Sequence, residues 1–485
     1  MTTTFTKFGK FLIGSNKELW GELRVAGTNS LLYVRDDEDF QPYVPADGCV
    51  TGVLHDLVKV TLFQCINLAG LGYGTRNSET YYYTRIFPHF VLEGQRHVGT
   101  SDRISNITFR LEDGTNLFYD FDAFGSVIDS RPHIERVATA NGLDRPIPIG
   151  PEPKIVYFAG KREIVAVDTK VGRFRAQHNP RWYLPGPRGV RIDNFISVRL
   201  DLEDPVSLDE AISRTLRLLR FLELIIGRPQ NLEDLFVQVD KERLKVHWSH
   251  RPTRKEESEN DRSPQPADML LMPVEDPDEF GRVMQNWINN DEERQDARGS
   301  FHLSFAKQRR YSVDRLIASA NMFDLLPKSA TVQDVSMTED LRRATNDSRN
   351  LFRNLPRSYE RDSVLNALGR VGKPSLKHKT GHRGQILIDA LGGRLQDLRL
   401  ILDAAIDCRN HYVHGTTSEI DYTNNFDLVI FFTNTLEFVF GASELVEAGW
   451  DINRFAKRGT TMTHPYGSYL VGYKRSLEDL KRLLC

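Results

Sequence analysis

Apolar residues change their spacing along this chain. Over residues 1–200 they fall in short runs rich in β-branched and aromatic side chains, separated by turn signals. The runs at 19–25, 58–64, 81–87, 104–111, 154–158 and 164–168 read as strands. From about residue 301 the repeat is that of a helix face. The change of period predicts an α+β, multidomain protein. A β-rich, sandwich-like domain is expected over 1–200, a mixed α/β extension over 201–300, and an all-α helical bundle over 301–485. A chain of 485 residues has room for about two or three such cores.

The extension opens on Ser207-Leu-Asp-Glu210, a capping-box pattern. An apolar helix follows to Ile226, where Gly227 stops it and Pro229 bars continuation. Residues 236–239 and 244–248 alternate like a strand pair. Residues 251–267 are charged and polar, and read as a mobile loop. Residues 268–300 hold a short strand and a helix around Trp287, and the charged run 291–298 leads into the bundle. Helices are expected there over 312–326, 338–355 (capped by Thr338), 358–369, 386–408, 421–446 and 476–484. Gly392-Gly393 is a weak point of the fourth, or its true start.

That fourth helix leads into Arg409-Asn410-His411-Tyr412-Val413-His414. Apolar residues at 395, 398, 402 and 405 mark one face, and one more step of that spacing lands on Arg409. A guanidinium aimed at a buried face needs an anion or a carboxylate. On a continuous helix, positions five apart point in different directions, because each residue turns the chain by roughly 100°. Arg409 and His414 are therefore expected to share a site through a helix break between them or, as the favoured arrangement, across a dimer. Arg173 and His178 repeat the spacing, but in a Gly- and Pro-rich region with no helical run before it. A purely structural reading also stands open: His414 as a satisfied helix-end histidine, with Arg409 paired to Asp403 or Asp407. His411 and His414 lack an evident third metal ligand.

Arg409-Asn410-x-x-x-His414 in this setting resembles the signature of HEPN ribonucleases, and residues 300–485 are similar to the Apea-like HEPN group. The earlier part resembles the Apea N-terminal domain, notably at Val156-Tyr-Phe-Ala-Gly-Lys-Arg-Glu163 and Leu222-Glu-Leu-Ile-Ile-Gly-Arg-Pro-Gln230. The resemblance implies a metal-independent endoribonuclease with no cofactor. It would act as a homodimer through its HEPN domain in anti-phage abortive infection, with Arg409, Asn410 and His414 catalytic. By analogy with other HEPN effectors, tRNA is a candidate substrate. Low basal activity and an unknown phage-derived trigger at the N-terminal domain are also expected. The chemistry suits these side chains. RNA carries its own nucleophile, the 2′-hydroxyl, so the enzyme needs a base, an acid and a cation for the phosphoryl oxygens. An ordinary imidazole titrates at roughly 6.5 and serves either proton role. A guanidinium stays charged and forks onto phosphate, and Asn410 can donate to phosphate or orient His414. The product would carry a 2′,3′-cyclic phosphate. Two protons must move and the motif holds one essential histidine, so a second copy is expected to supply the other.

Between Arg370 and Arg383 the chain carries Arg370, Lys373, Lys377, Lys379 and Arg383, with two histidines and no acid. In a chain of net charge −2 this is the clearest basic loop, read either as a grip on the RNA backbone or as a solvated surface loop. Cys49, Cys65, Cys408 and Cys485 have no metal-like spacing and read as reduced thiols. The N-terminus shows no signal-peptide core, and the apolar run 428–440 is too interrupted to span a bilayer. A cytoplasmic protein with no membrane partner is expected. Tyr81-Tyr82-Tyr83 and Arg85 read either as a base clamp or as an ordinary strand. Gly70, Gly72 and Gly74 lack the Lys-Ser/Thr of a phosphate loop. The competing functional reading is a non-enzymatic, ligand-sensing adaptor with a helical dimerisation domain.

Overall fold

The structure, a computed structural model, describes residues 4–13, 17–36, 44–45, 47–68, 72–76, 79–141, 148–187, 189–249, 263–332 and 337–484. Gly70 and most of the loop expected over 251–267 lie outside them. The chain divides into two compact units. One holds Met1–Leu219, Gln230–Pro266 and Met272–Gly281; the other holds Arg220–Pro229, Ala267–Leu271 and Arg282–Cys485.

Among the described residues of the first unit, fifteen strands share one hydrogen-bonded sheet. The path runs from Glu163–Thr169 through the long hairpin Gly172–Gly186 and Gly189–Val206, then Ile104–Leu111, Leu232–Val239 and Glu242–Trp248. It continues through Phe90–Gly94, Lys59–Phe63, Val50–Leu54, Phe5–Ile13, Lys17–Val25 and Leu31–Asp36 to Glu79–Phe87. Alternation decides which side chains face inward: in Lys17–Val25, Leu19, Leu23 and Val25 are buried while Trp20 and Arg24 are exposed. Val91 and Ile86 come from strands far apart on the path, yet they join Phe11, Leu23 and Val60 in one core. This part of the sheet therefore curls round its own inner face. Arg173 and His178 both lie on Gly172–Gly186. An odd separation sends them to opposite faces, so Arg173 is exposed and His178 buried beside Asn194.

The second unit is helical. Its centre is Phe426–Glu447, apolar nearly all round, with 83% of its most apolar window buried. Side-chain caps start three helices near where they were expected. Ser312 opens Val313–Asn321, Thr338 opens Glu339–Arg353 and Ser358 opens Tyr359–Leu368, each accepting a backbone N–H of the first turn. The fourth helix does break at the glycine pair. Leu376–Leu391 ends at Gly392 with φ 57°, a 3-10 turn spans Gly392–Leu395, and Leu398–His414 begins after Asp397. One helix was hidden in the charged run. Asp291–Phe305 places Arg294, Arg298 and Phe305 on a buried face, so charged residues stand where its apolar repeat should be.

Those charges meet carboxylates of the central helix. Glu444 accepts from Arg294, Arg298 and Arg383, and Glu447 pairs with Arg294 and Arg383. Arg298 also reaches Asp291 at 3.1 Å. Two turns earlier both oxygens of Glu437 accept from Arg315, at 2.8 and 2.7 Å.

Asp268 is the clearest single anchor in this unit. Its carboxylate accepts from Thr460, Thr461 and Thr463 hydroxyls at 2.7–3.0 Å and from the Thr461 and Thr463 N–H groups. Burial pushes its pKa up, but the hydrogen bonds from Thr463 and Thr461 outweigh that and hold it at about 2. Its folded pKa lies below the usual carboxylate value of roughly 3.9, so its stabilisation is present above that pH and disappears as pH falls toward 2. Asp268→Asn is expected to lower the melting temperature at pH 7 and leave it nearly unchanged at pH 2. An equal loss at both pH values would refute the assignment.

Candidate active site

The motif helix Leu398–His414 buries Leu398, Ile401, Leu402, Ala405, Ile406 and Cys408. Its close approach to Leu376–Leu391 depends on a glycine: a Cβ at Gly384 would stand 2.6 Å from Leu402 Cδ1. The helix stays continuous through the motif and stops at Gly415, whose φ of 66° suits a residue without a side chain. Arg409 and Asn410 are half-buried and His414 is exposed.

Arg409 Nη1 lies 3.2 Å from His414 Nε2 within a single chain and on an unbroken helix. The choice between a helix break and a dimer contact was therefore too narrow. An arginine side chain is long enough to reach along the last turn, so neither is needed to bring the two groups together. The same Nη1 donates to Asn410 Oδ1 at 3.0 Å, and Nη2 donates to Asn321 Oδ1 at 2.9 Å. Arg409 Nε is buried without a hydrogen-bond partner among the described residues. A guanidinium can only donate, so the contact requires His414 Nε2 to act as acceptor, with the ring proton on Nδ1.

Neither carboxylate considered as a partner for Arg409 takes that role. Asp403 receives Arg399 and Asp407 receives Lys377. Among the described residues no carboxylate pairs with Arg409; its three partners are uncharged or, for His414, accepting. His411 turns to the Thr416 carbonyl at 2.7 Å and packs against Tyr412 and Tyr422. Among the described residues no cluster of three or more His, Cys, Asp or Glu side chains is arranged to hold a metal.

The basic stretch differs from its expectation in two ways. From Leu376 onward it is helix, opened by a capping box between Ser375 and His378, so it is not a loop. Arg383 is fully buried, bonded to Ser443, Glu444 and Glu447, and cannot reach a surface ligand. Lys377 and Lys379 are half-buried and paired with Asp407 and Asp324, while Arg370 and Lys373 are exposed.

Asn321 escaped the sequence. It is the last residue of Val313–Asn321, but the apolar pattern there runs on to 326, which hides the helix end. Removing its carboxamide frees one arm of the guanidinium. If Arg409 acts on substrate, Asn321→Ala is expected to lower RNA cleavage about 10- to 100-fold with little change in melting temperature. Unchanged cleavage would make Asn321 a bystander.

The family model for ApeA N-terminal domain 1 matches residues 9–287, and that for Apea-like HEPN matches residues 317–453. The second match contains Asn321, Arg409, Asn410 and His414. No curated protein and no solved structure matches the chain.

Proposed function

The chain belongs to the ApeA N-terminal domain family and carries an Apea-like HEPN domain, and on that premise we propose an endoribonuclease whose chemistry rests on Arg409, Asn410 and His414. The HEPN-type domain supports a ribonuclease-type effector, and the two families together support a role in anti-phage defence. The observation that carries the finer reading is the convergence of Arg409 and His414, 3.2 Å apart at an exposed helix end, with no acid among the described residues to neutralise the guanidinium.

In this reading a phosphate takes the guanidinium from its resting partners. Arg409 then stabilises charge on the phosphoryl oxygens, with Asn410 beside it. The released His414 Nε2 removes the 2′-hydroxyl proton. The 2′-oxygen bonds to phosphorus, the bond to the 5′-oxygen breaks, and that oxygen takes a proton from an acid. His414 of a second copy is the natural acid, so the working unit is a homodimer through the HEPN domain. No metal or cofactor enters the scheme. Arg370 and Lys373, with Lys377 and Lys379 beside them, would hold the RNA backbone. A tRNA substrate, a cytoplasmic setting and a phage-derived trigger at the N-terminal unit complete the proposal.

The test is to treat RNA with purified protein in the presence of a chelator and to map the new ends. Ends with 2′,3′-cyclic phosphate and 5′-hydroxyl are expected. Replacing Arg370 and Lys373 by Glu should make the salt dependence of RNA binding shallower by roughly 1 to 2 in log–log slope. Ends carrying 3′-hydroxyl and 5′-phosphate would sink the scheme.

A further inference from the structure

In the second unit, Glu339–Arg353 and Tyr359–Leu368 form a helical hairpin with almost no core. Thr345 is the one buried residue of the first helix, and the second has none. The two helices hold each other where they join. Arg361 Nε donates to the Phe352 carbonyl at 2.9 Å and its Nη2 to the Arg353 carbonyl at 3.1 Å, which fixes the start of the second helix against the end of the first. Among the described residues, every hydrogen bond and ion pair of 339–368 stays within residues 338–371. Helices in proteins are ordinarily stabilised by packing one face against the rest of the fold. This pair packs little, so most of its side chains are presented to solvent.

The end where the helices join carries unpaired cations and an open ring. Arg353 and Arg357 are exposed, and among the described residues neither side chain has a hydrogen bond, an ion pair or a ring contact. Tyr359 is 86% exposed and meets no other ring among them. The acids of this end are already engaged. Asp362 pairs with Arg361 at 3.6 Å, and Glu360 accepts from its own backbone N–H and from Ser358. The chain returning from the second helix adds Arg370 and Lys373, exposed and equally unpaired among the described residues. It leads directly into Leu376–Leu391. There Lys377 holds Asp407, two residues before Arg409, and Lys379 holds Asp324, three residues after Asn321. The base of the hairpin is thereby anchored beside the Arg409 site.

We propose that the end of this hairpin is a distal RNA contact, with Arg353 and Arg357 on backbone phosphates and an unpaired base stacked on Tyr359. It deepens the ribonuclease reading and rests on it: the substrate is an RNA strand running from the Arg409 site past Arg370 and Lys373 to the hairpin end. A guanidinium forks two donors onto a phosphate, and an aromatic face beside cations accepts any unpaired base. Tyr359–Leu368 is about 15 Å long. A stacked strand advances roughly 3.4 Å per nucleotide, so a strand that spans the hairpin extends on the order of four nucleotides or more beyond the scissile linkage. Self-association is the poorer reading. A two-fold contact at this end would set Arg353 and Arg357 of one copy against the same side chains of the other, and like charges repel. Leu351 and Leu355 are exposed close by, so an acidic protein segment is the occupant the test must separate from RNA.

The experiment uses the full-length protein and a fluorescent 20-nucleotide 2′-O-methyl oligouridine. That strand has no free 2′-hydroxyl, so its binding is read independently of the proposed cleavage. In anisotropy titrations Arg353→Gln with Arg357→Gln should weaken binding about tenfold and make its salt dependence shallower by roughly 1 to 2 in log–log slope. Tyr359→Ala should weaken it about fivefold or more, whereas Tyr359→Phe, which keeps the ring, should bind within twofold of wild type. Melting temperatures should not move, because these side chains are exposed and unpaired among the described residues. With unmodified RNA, wild type should cut a 20-mer with kcat/KM at least tenfold above that for a tetranucleotide, and the double glutamine variant should lose most of that advantage. Wild-type binding by the double glutamine variant would overturn the proposal, and continued RNA cutting would then leave the ribonuclease reading standing. Hairpin-dependent binding without any cutting by the wild type would uphold the contact and strike that reading instead. Equal competition by polyglutamate of matched charge would overturn the proposal and assign the hairpin to an acidic protein segment.

Discussion

His414→Ala is expected to lower RNA cleavage by about 10²- to 10⁴-fold, the usual contribution of a positioned proton-transfer group. The side chain is exposed at the end of its helix, and its ring meets Arg409 Nη1. Stability should therefore stay within about 0.5 kcal/mol of wild type. This separates loss of chemistry from loss of fold. Single-turnover cleavage and a thermal melt on the same preparation measure both. Arg409→Lys adds a finer test. Lysine keeps the charge but cannot span Asn321, Asn410 and His414 with one planar fork, so cleavage should fall although a cation remains. A His414→Ala protein that cuts RNA at the wild-type rate would move the active site elsewhere and leave the helix end a structural one. The adaptor reading would then lead.

Glu444→Ala is expected to have the largest effect on stability. Its carboxylate is buried among the guanidinium groups of Arg294, Arg298 and Arg383, so removing it leaves buried cations without their main partner. Breaking a buried pair in this way costs about 3–5 kcal/mol. In a helical unit of this size that corresponds to a drop of roughly 10 °C in melting temperature. Burial pushes the Glu444 pKa up, but Arg298, Arg383 and Arg294 outweigh it and leave the group lowered. With the folded value depressed, the stabilisation is present above the unfolded carboxyl's roughly 4.3 and is lost as pH falls through the lower folded value. The wild type should thus lose stability on acidification more steeply than the variant. Arg383→Ala belongs to the same network and should unfold more easily while binding RNA normally once the folded fraction is taken into account. A stable Arg383→Ala protein with weakened RNA binding would contradict its burial.

Much of the site could be read along the chain because the features that define it are local. The helix leading to Arg409, the capping residues Ser312, Thr338 and Ser358, and the stop at Gly415 each depend on neighbours within a turn or so. Arg383 shows where this fails. Its surroundings in sequence are basic and polar, which reads as surface, but its partners Glu444 and Glu447 lie about sixty residues away. The helix Asp291–Phe305 was missed for the same reason, since the acids that let Arg294 and Arg298 be buried belong to another helix.

By itself the sequence determined the order of strand-rich and helical regions, the helix that leads to Arg409, and the family to which the chain belongs. These follow from period, capping and short motifs, all carried by residues close together in the chain. Only the tertiary structure decided that Asn321 holds one arm of Arg409, that Lys377 and Lys379 are engaged by Asp407 and Asp324, and that Arg383 is a core residue. It also decided that rings from separate strands line up on one face of the sheet. The physical reason is that a charge or a ring takes its role from what folding brings within a few ångströms of it, and no spacing along the chain records that distance.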